Sequence, residues 1–93
     1  MIMSAPISPG IDVKADSLIP GAFSGNPKKA TVTFATPFED TDYTITFSPI
    51  TDGTKTFSPA AETKTANGFV INLNSNNVAN LIEVGWQAIK AGE

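Results

Sequence analysis

The sequence predicts an all-β fold, a small antiparallel β-sandwich or open barrel of about five to six strands that follows an extended N-terminal arm. From Lys29 onward, apolar and polar residues alternate with a period of two, which is typical of half-buried strands. The pairs Asp52-Gly53 and Asn67-Gly68 lie between such runs and indicate tight turns. The chain has 93 residues and no cysteine, so we expect one domain with a thin core that no disulfide braces.

The N-terminal arm is assigned to residues 1–27 and the β-module to residues 28–93. The arm contains four of the seven prolines, which fix φ and remove backbone donors, so no helix is expected there. Alternation around Val13 predicts a short strand within it. Two interpretations remain open: the arm docks on a neighbouring subunit, or it packs as a strand and loop on its own domain. Its candidate partner-binding residues are Ile2, Ile7, Ile11, Val13, Leu18, Ile19 and Phe23.

The β-module is divided by its prolines and polar turns. Pro37 ends the first strand, and Pro49 with Asp52-Gly53 is interpreted as a turn. Pro59 either interrupts the following strand or leaves it at a sheet edge, and the strand resumes at Glu62. The predicted strands cover residues 29–35, 43–48, 54–57 with a continuation at 62–65, 69–73 and 82–88. In the last of them Ile82, Val84 and Trp86 are expected to share the core face.

The residues available for chemistry argue against an enzyme. The chain lacks histidine and cysteine, which removes the commonest general base, the usual Ser-His and Cys-His nucleophiles, and most zinc sites. Glu39, Asp40 and Asp42 lie in a predicted exposed turn, where nothing separates their pKa values. That turn could hold Ca²⁺, but it lacks EF-hand spacing, and a local side-chain cap is the preferred interpretation. We therefore predict no catalytic, cofactor or metal site.

Composition also bears on the partners. A net charge of −3 with only six basic residues opposes nucleic-acid binding. No apolar run approaches the roughly 20 residues of a membrane span, and nothing resembles a signal peptide. Trp86 and Tyr43 could stack on sugars, although their strand positions favour the core. The asparagines between 72 and 80 could line a polar ligand site, but we expect them to satisfy loop backbone groups.

Five segments in a distinctive order carry a resemblance to a known module. They are Ser24–Phe34, Pro37-Phe38, Asp42–Thr46, Lys64–Asn72 and Val84–Ile89. Together they resemble a β-module of tailed-bacteriophage virion proteins, found at the end of tail-fibre and tail-tip proteins, and the resemblance covers residues 18–89. It implies a β-sandwich-like fold and frequent trimeric assembly, and it implies nothing catalytic.

The chain differs from the tail-fibre pattern in one respect, and this difference determines the function that we expect. Only the short arm precedes the module, whereas a tail fibre carries a long shaft or attachment domain. The sequence is therefore expected to encode a capsid decoration (cement) protein, made in the host cytoplasm and located in the virion. It would stabilise the shell as a homotrimer bound to the major capsid protein or another virion protein. The alternatives are a tail-fibre or tail-tip module that binds host surface glycans, and a non-viral adhesin or carbohydrate-binding domain.

Overall fold

A computed structural model describes residues 12–53 and 55–91. The strands in these residues form two three-stranded antiparallel sheets, a first sheet in the order β1-β6-β3 and a second sheet in the order β2-β5-β4. The predicted all-β sandwich is thus confirmed. No helix in the described part of the chain is long and apolar enough to cross a membrane. The elements are β1 Asp12–Leu18, a 3-10 turn Pro20–Ala22, β2 Lys29–Thr33, β3 Thr44–Thr51, β4 Ala60–Thr65, β5 Gly68–Asn72 and β6 Leu81–Lys90.

Strand β6 organises the first sheet, because β1 and β3 both pair with it. Its residues Val84, Trp86 and Ala88 are buried and alternate with more exposed ones, so the strand has a core face and an outer face. Residues directly opposite one another on paired strands project from the same face. The inward positions of the neighbouring strands are consequently Lys14, Asp16 and Leu18 on β1, and Ile45, Phe47 and Pro49 on β3.

The core between the sheets is largely aromatic, and Phe34 lies at its centre. The Phe34 ring centroid is 5.1 Å from that of Phe38, 5.7 Å from Tyr43, 5.9 Å from Phe69 and 5.8 Å from Trp86. These rings come from both sheets and from the segments beside them, so the cluster joins the two layers. Trp86 is 9% exposed and Tyr43 is 3% exposed, which confirms that both belong to the core.

Part of the predicted arm forms an edge strand. Residues 12–18 are β1, which pairs with β6 of the same chain in an unbroken register from Asp12 opposite Lys90 to Leu18 opposite Val84. The first eleven residues lie outside the described part of the chain.

The strand limits differ from prediction at two places, both of them beside a proline. β3 continues through Pro49 to Thr51, because β6 is its one partner among the described strands and an edge strand can leave a proline on its unpaired side. The strand predicted at 54–57 is not formed in the described residues 55–57, and β4 begins only at Ala60, directly after Pro59.

The predicted core position of Ile82 is wrong. The register changes here, with Ile50 opposite Glu83 but Thr51 opposite Leu81, so Ile82 is an extra residue on β6. Leu81 takes the inward position at 7% exposure, while Ile82 is 53% exposed. A period-two pattern cannot reveal such an insertion, because it assumes a continuous strand.

The β4–β5 hairpin is fixed by a close backbone contact and by a buried hydroxyl. A Cβ added at Gly68 would lie 1.9 Å from the carbonyl oxygen of Val32, so no other residue fits. The Tyr43 hydroxyl donates to the Thr65 carbonyl oxygen at 2.7 Å and lies 3.1 Å from the Gly68 carbonyl oxygen. The predicted turn at Asn67-Gly68 therefore also anchors the hairpin to the chain that precedes β3.

Replacing Gly68 with alanine should lower the free energy of unfolding by about 3 kcal/mol or more, because the methyl group overlaps the backbone of β2. Urea denaturation followed by Trp86 fluorescence measures this. Gly21→Ala is the matched control, since the nearest atom to an added Cβ is 4.0 Å away, and it should change stability by less than about 0.5 kcal/mol. Equal stability of the two variants would contradict the close packing at Gly68.

Candidate functional site

The outer face of the first sheet is a broad surface formed by three paired strands. The registers align Val13 with Ile89 and Thr44 at one end, and Ile50 with Glu83 at the other. At about 3.3 Å per residue, the face extends for about 20 Å along the strands. Its side chains are Val13, Ala15 and Ser17 of β1, Thr44, Thr46, Ser48 and Ile50 of β3, and Glu83, Gly85, Gln87 and Ile89 of β6.

This outer face is poor in charge and carries exposed apolar side chains near its ends. Glu83 is its only ionisable residue among those eleven. Val13 is 48% exposed and Ile50 is 46% exposed, and Ile19, just past the end of β1, is 69% exposed. A face with few charges and small polar side chains loses little hydration when it is covered, as in the centre of protein interfaces. It is the strongest candidate binding surface in the described residues.

The second sheet presents a more polar outer surface. Its Glu62 accepts a hydrogen bond from Lys29 Nζ at 2.8 Å and another from Asn72 Nδ2 at 2.9 Å. These contacts lower the pKa of Glu62, the hydrogen bond from Lys29 first. An ion pair of this kind is compatible with water and costs desolvation when covered. The two outer faces of the sandwich are therefore chemically distinct.

The predicted partner-binding residues separate into three groups. Ile2, Ile7 and Ile11 lie outside the described residues. Val13 and Ile19 are exposed on the side of the first sheet, in or beside the candidate surface. Leu18 packs against the core from its edge and Phe23 is 5% exposed within it, so these two side chains are occupied inside the domain.

Two exposed apolar residues of this region were not among the predicted partner-binding residues. They are Ile50 on β3 and Ile82 on β6, both next to the register change. The sequence contains a signal for Ile50, because it falls on the polar phase of a strand whose core residues are Ile45 and Phe47. The sequence contains no comparable signal for Ile82, because Ile82 falls on the same alternate positions as the core residues Val84 and Trp86.

An open cleft of about 460 Å³ lies beside the edge of β1 on the inner side of the first sheet. Residues 13–16 of β1 form one wall and residues 33–36 the other, with Trp86 between them. Lys14 Nζ lies 4.6 Å from the centroid of Phe38, and only 17% of the Lys14 side chain is exposed. The indole Nε1 of Trp86 is buried and has no hydrogen-bond acceptor among the described residues.

The polar residues singled out in the sequence have local partners. Asp40 accepts hydrogen bonds from the backbone N–H of Asp42 at 2.8 Å and from Lys90 Nζ at 3.1 Å. These bonds, the backbone one first, lower the pKa of Asp40. The preferred interpretation of the acidic turn as a side-chain cap is confirmed. No group of three or more carboxylates that could hold a metal ion occurs in residues 12–53 and 55–91.

The asparagines between 72 and 80 serve the loops, as expected. The Asn72 side chain accepts a hydrogen bond from the backbone N–H of Asn74, and Asn77 accepts one from that of Ala79. Asn80 Nδ2 donates to the Asp52 carboxylate at 2.8 Å and so links the β5–β6 and β3–β4 loops. These contacts hold the ends of β3 and β6 together next to the candidate surface.

Comparison of the chain with models of protein families, with curated proteins and with solved structures gives no match.

Burial of Tyr43 should make the protein less stable at alkaline pH. Desolvation raises the pKa of Tyr43 above its ordinary value of 10.0. The unfolded chain then loses the phenolic proton first, so the contribution of Tyr43 to stability is fully present below pH of about 10 and is lost as pH rises through the pKa of the folded state. Urea denaturation across alkaline pH measures the loss, which should be smaller in Tyr43→Phe. Because Tyr43 is the only tyrosine, its phenolate absorbance reports the pKa directly.

Proposed function

We propose that this protein is a bacteriophage virion structural protein that decorates and stabilises the capsid by laying the outer face of its first sheet on a shell protein. The observation that carries the proposal is the charge-poor outer face with exposed Val13 and Ile50 near its two ends. The resemblance of the β-module to virion proteins gives the biological setting. The homotrimer implied by that resemblance remains a prediction.

The outer face of a hydrogen-bonded sheet is better suited to the static reinforcement of a shell than to catalytic turnover. The side chains of the outer face stand on a hydrogen-bonded sheet and are mostly short, so covering them costs little conformational entropy. At about 25 cal/mol per Å² of apolar surface, covering a few hundred Å² contributes several kcal/mol before the costs of association. Many weak contacts between copies and a shell then add together.

The alternative, a tail-tip module that binds host glycans, has less support from the side chains. Sugar recognition of that kind uses exposed aromatic faces beside polar loops. Trp86 and Tyr43 are 9% and 3% exposed, so neither ring offers a free face. The cleft beside β1 exposes part of an aromatic wall, but Lys14 already lies over the rings of Phe34 and Phe38 there.

Location within particles tests the proposed role. Particles purified from a culture that produces this protein are separated into heads and tails, and the chain is quantified by mass spectrometry in each fraction. Decoration predicts many copies per head and none in the tail fraction. A chain found only in tails supports the glycan-binding alternative, and a chain absent from particles overturns the virion role.

Ile50→Asp should reduce occupancy on purified heads by at least about tenfold, equivalent to about 1.4 kcal/mol, because it places a charge within the apolar part of the contact. Fold stability should change little, since Ile50 is 46% exposed. Head binding by co-sedimentation and thermal melting measure the two effects. Thr31→Asp is the matched control, because Thr31 is exposed on the other sheet and should leave head binding unchanged.

A further inference from the structure

Within residues 12–53 and 55–91, strand β1 is an open edge of the first sheet. Its one partner among the described strands is β6, and along its length every second residue directs its N–H and C=O away from β6. Five of its seven residues are exposed. The register with β6 contains no irregularity, and the strand contains neither proline nor glycine. A regular, exposed edge of this kind is a template for pairing with another strand.

The other three edge strands carry features that oppose such pairing. The open side of β2 is occupied at Lys29, whose N–H and C=O both bond to Ser24 at 2.8 and 3.0 Å. β3 contains Pro49, and its register changes beyond Ile50. β4 changes register after Glu62 and holds Thr63 at φ 51°, a left-handed conformation that is rare for a β-branched residue.

The sequence of β1 is complementary to itself in the antiparallel direction. When two copies align about a two-fold axis at Ala15, Lys14 of each copy lies opposite Asp16 of the other. The same alignment places Val13 opposite Ser17 and Asp12 opposite Leu18. Opposite charges directly across paired strands are favourable, whereas like charges are not.

We propose that β1 is a self-association edge that pairs antiparallel with β1 of a second copy of this chain, centred on Ala15. The result is a continuous six-stranded sheet in which the two outer faces lie side by side. Its two central Lys14–Asp16 contacts select the partner, and the backbone hydrogen bonds between the strands supply most of the attraction.

Other registers are less favourable for charge or for length. Centring on Lys14 places lysine opposite lysine and Asp12 opposite Asp16. Centring on Asp16 places Asp16 opposite its own copy. Centring on Val13 brings Asp12 opposite Lys14, but only residues 12–14 of the described strand then pair, compared with all seven about Ala15.

The inner side of the edge has room for the partner's side chains. Lys14 and Asp16 both lie on this side, where they line the cleft of about 460 Å³ between β1 and residues 33–36. Lys14 Nζ already lies 3.8 Å from Asp12 Oδ2 of its own chain and 4.6 Å from the centroid of Phe38. In the pairing about Ala15 the partner strand brings Asp16 to the same side of the sheet, so a second carboxylate faces the lysine when the edge is covered.

This inference does not depend on the virion role, and its test uses the free protein. Two-fold pairing produces even-numbered assemblies: a dimer of twice the 9.7 kDa chain, or a hexamer if two trimers join through their β1 edges. Because the contact is a single strand pair, it is smaller than a standard protein interface, and the dimer should form with rising concentration in the micromolar to millimolar range.

The decisive experiment uses two variants of the residue on the proposed axis. Ala15 is exposed, so Ala15→Lys and Ala15→Asp should fold normally. Each places two like charges opposite one another and should weaken self-association at least tenfold in sedimentation equilibrium. An equimolar mixture of the two variants places lysine opposite aspartate and should restore the dimer as a one-to-one heterodimer, resolved by native mass spectrometry.

Gln87→Lys and Gln87→Asp are the matched controls. Gln87 lies beside Ala15 on the same outer face but on the central strand, so the charge change is equal and the edge is untouched. Both controls should associate like the parent chain, and near-ultraviolet circular dichroism verifies the fold of every variant. A parent chain that stays monomeric at millimolar concentration, a trimer with no even-numbered species, or Ala15 variants that associate unchanged would each overturn the proposal.

Discussion

The aromatic cluster around Phe34 is the interaction on which the other surfaces depend. Phe34 follows β2 of the second sheet, its backbone N–H donates to the Asn67 carbonyl oxygen at 2.8 Å, and its ring contacts Trp86 of the first sheet. This arrangement determines which side of β6 faces inward. Since side chains alternate along a strand, it also determines the outer face, where the small polar residues and Ile50 lie. Lys14 joins the cluster through Phe38 and connects the edge strand to the same core.

Much of the fold could be predicted from the sequence, but less of the site. The alternation of apolar and polar residues and the hairpin signals predicted the all-β class, the Asn67-Gly68 turn and the core positions of Tyr43 and Trp86. These features depend on residues that are close in sequence. The register change that exposes Ile82 and the passage of β3 through Pro49 depend on which strand lies alongside. Those pairings join distant parts of the chain, so local patterns do not contain them.

The two proposed contacts use different parts of β1. Covering the outer face involves the side chains that project away from the core, whereas edge pairing involves backbone groups in the plane of the sheet. One contact therefore does not block the other. Pairing at the edge would also place two outer faces on one continuous sheet, so that a dimer presents twice the area of a single copy to a repeating partner. Bivalent attachment of this kind strengthens weak individual contacts when the spacing of the partner sites matches.

The contact between Gly68 and the Val32 carbonyl oxygen has a consequence for how sequences of this kind can diverge. A position that has no room for a Cβ must remain glycine, whatever partner the protein binds. Gly21, by contrast, has no atom closer than 4.0 Å to an added Cβ, and its exposed turn can vary in composition. Distant relatives should therefore keep a glycine before the buried Phe69 even after their outer faces have changed to suit other partners. That glycine, together with the aromatic cluster behind it, is the trace by which a common ancestry would remain recognisable.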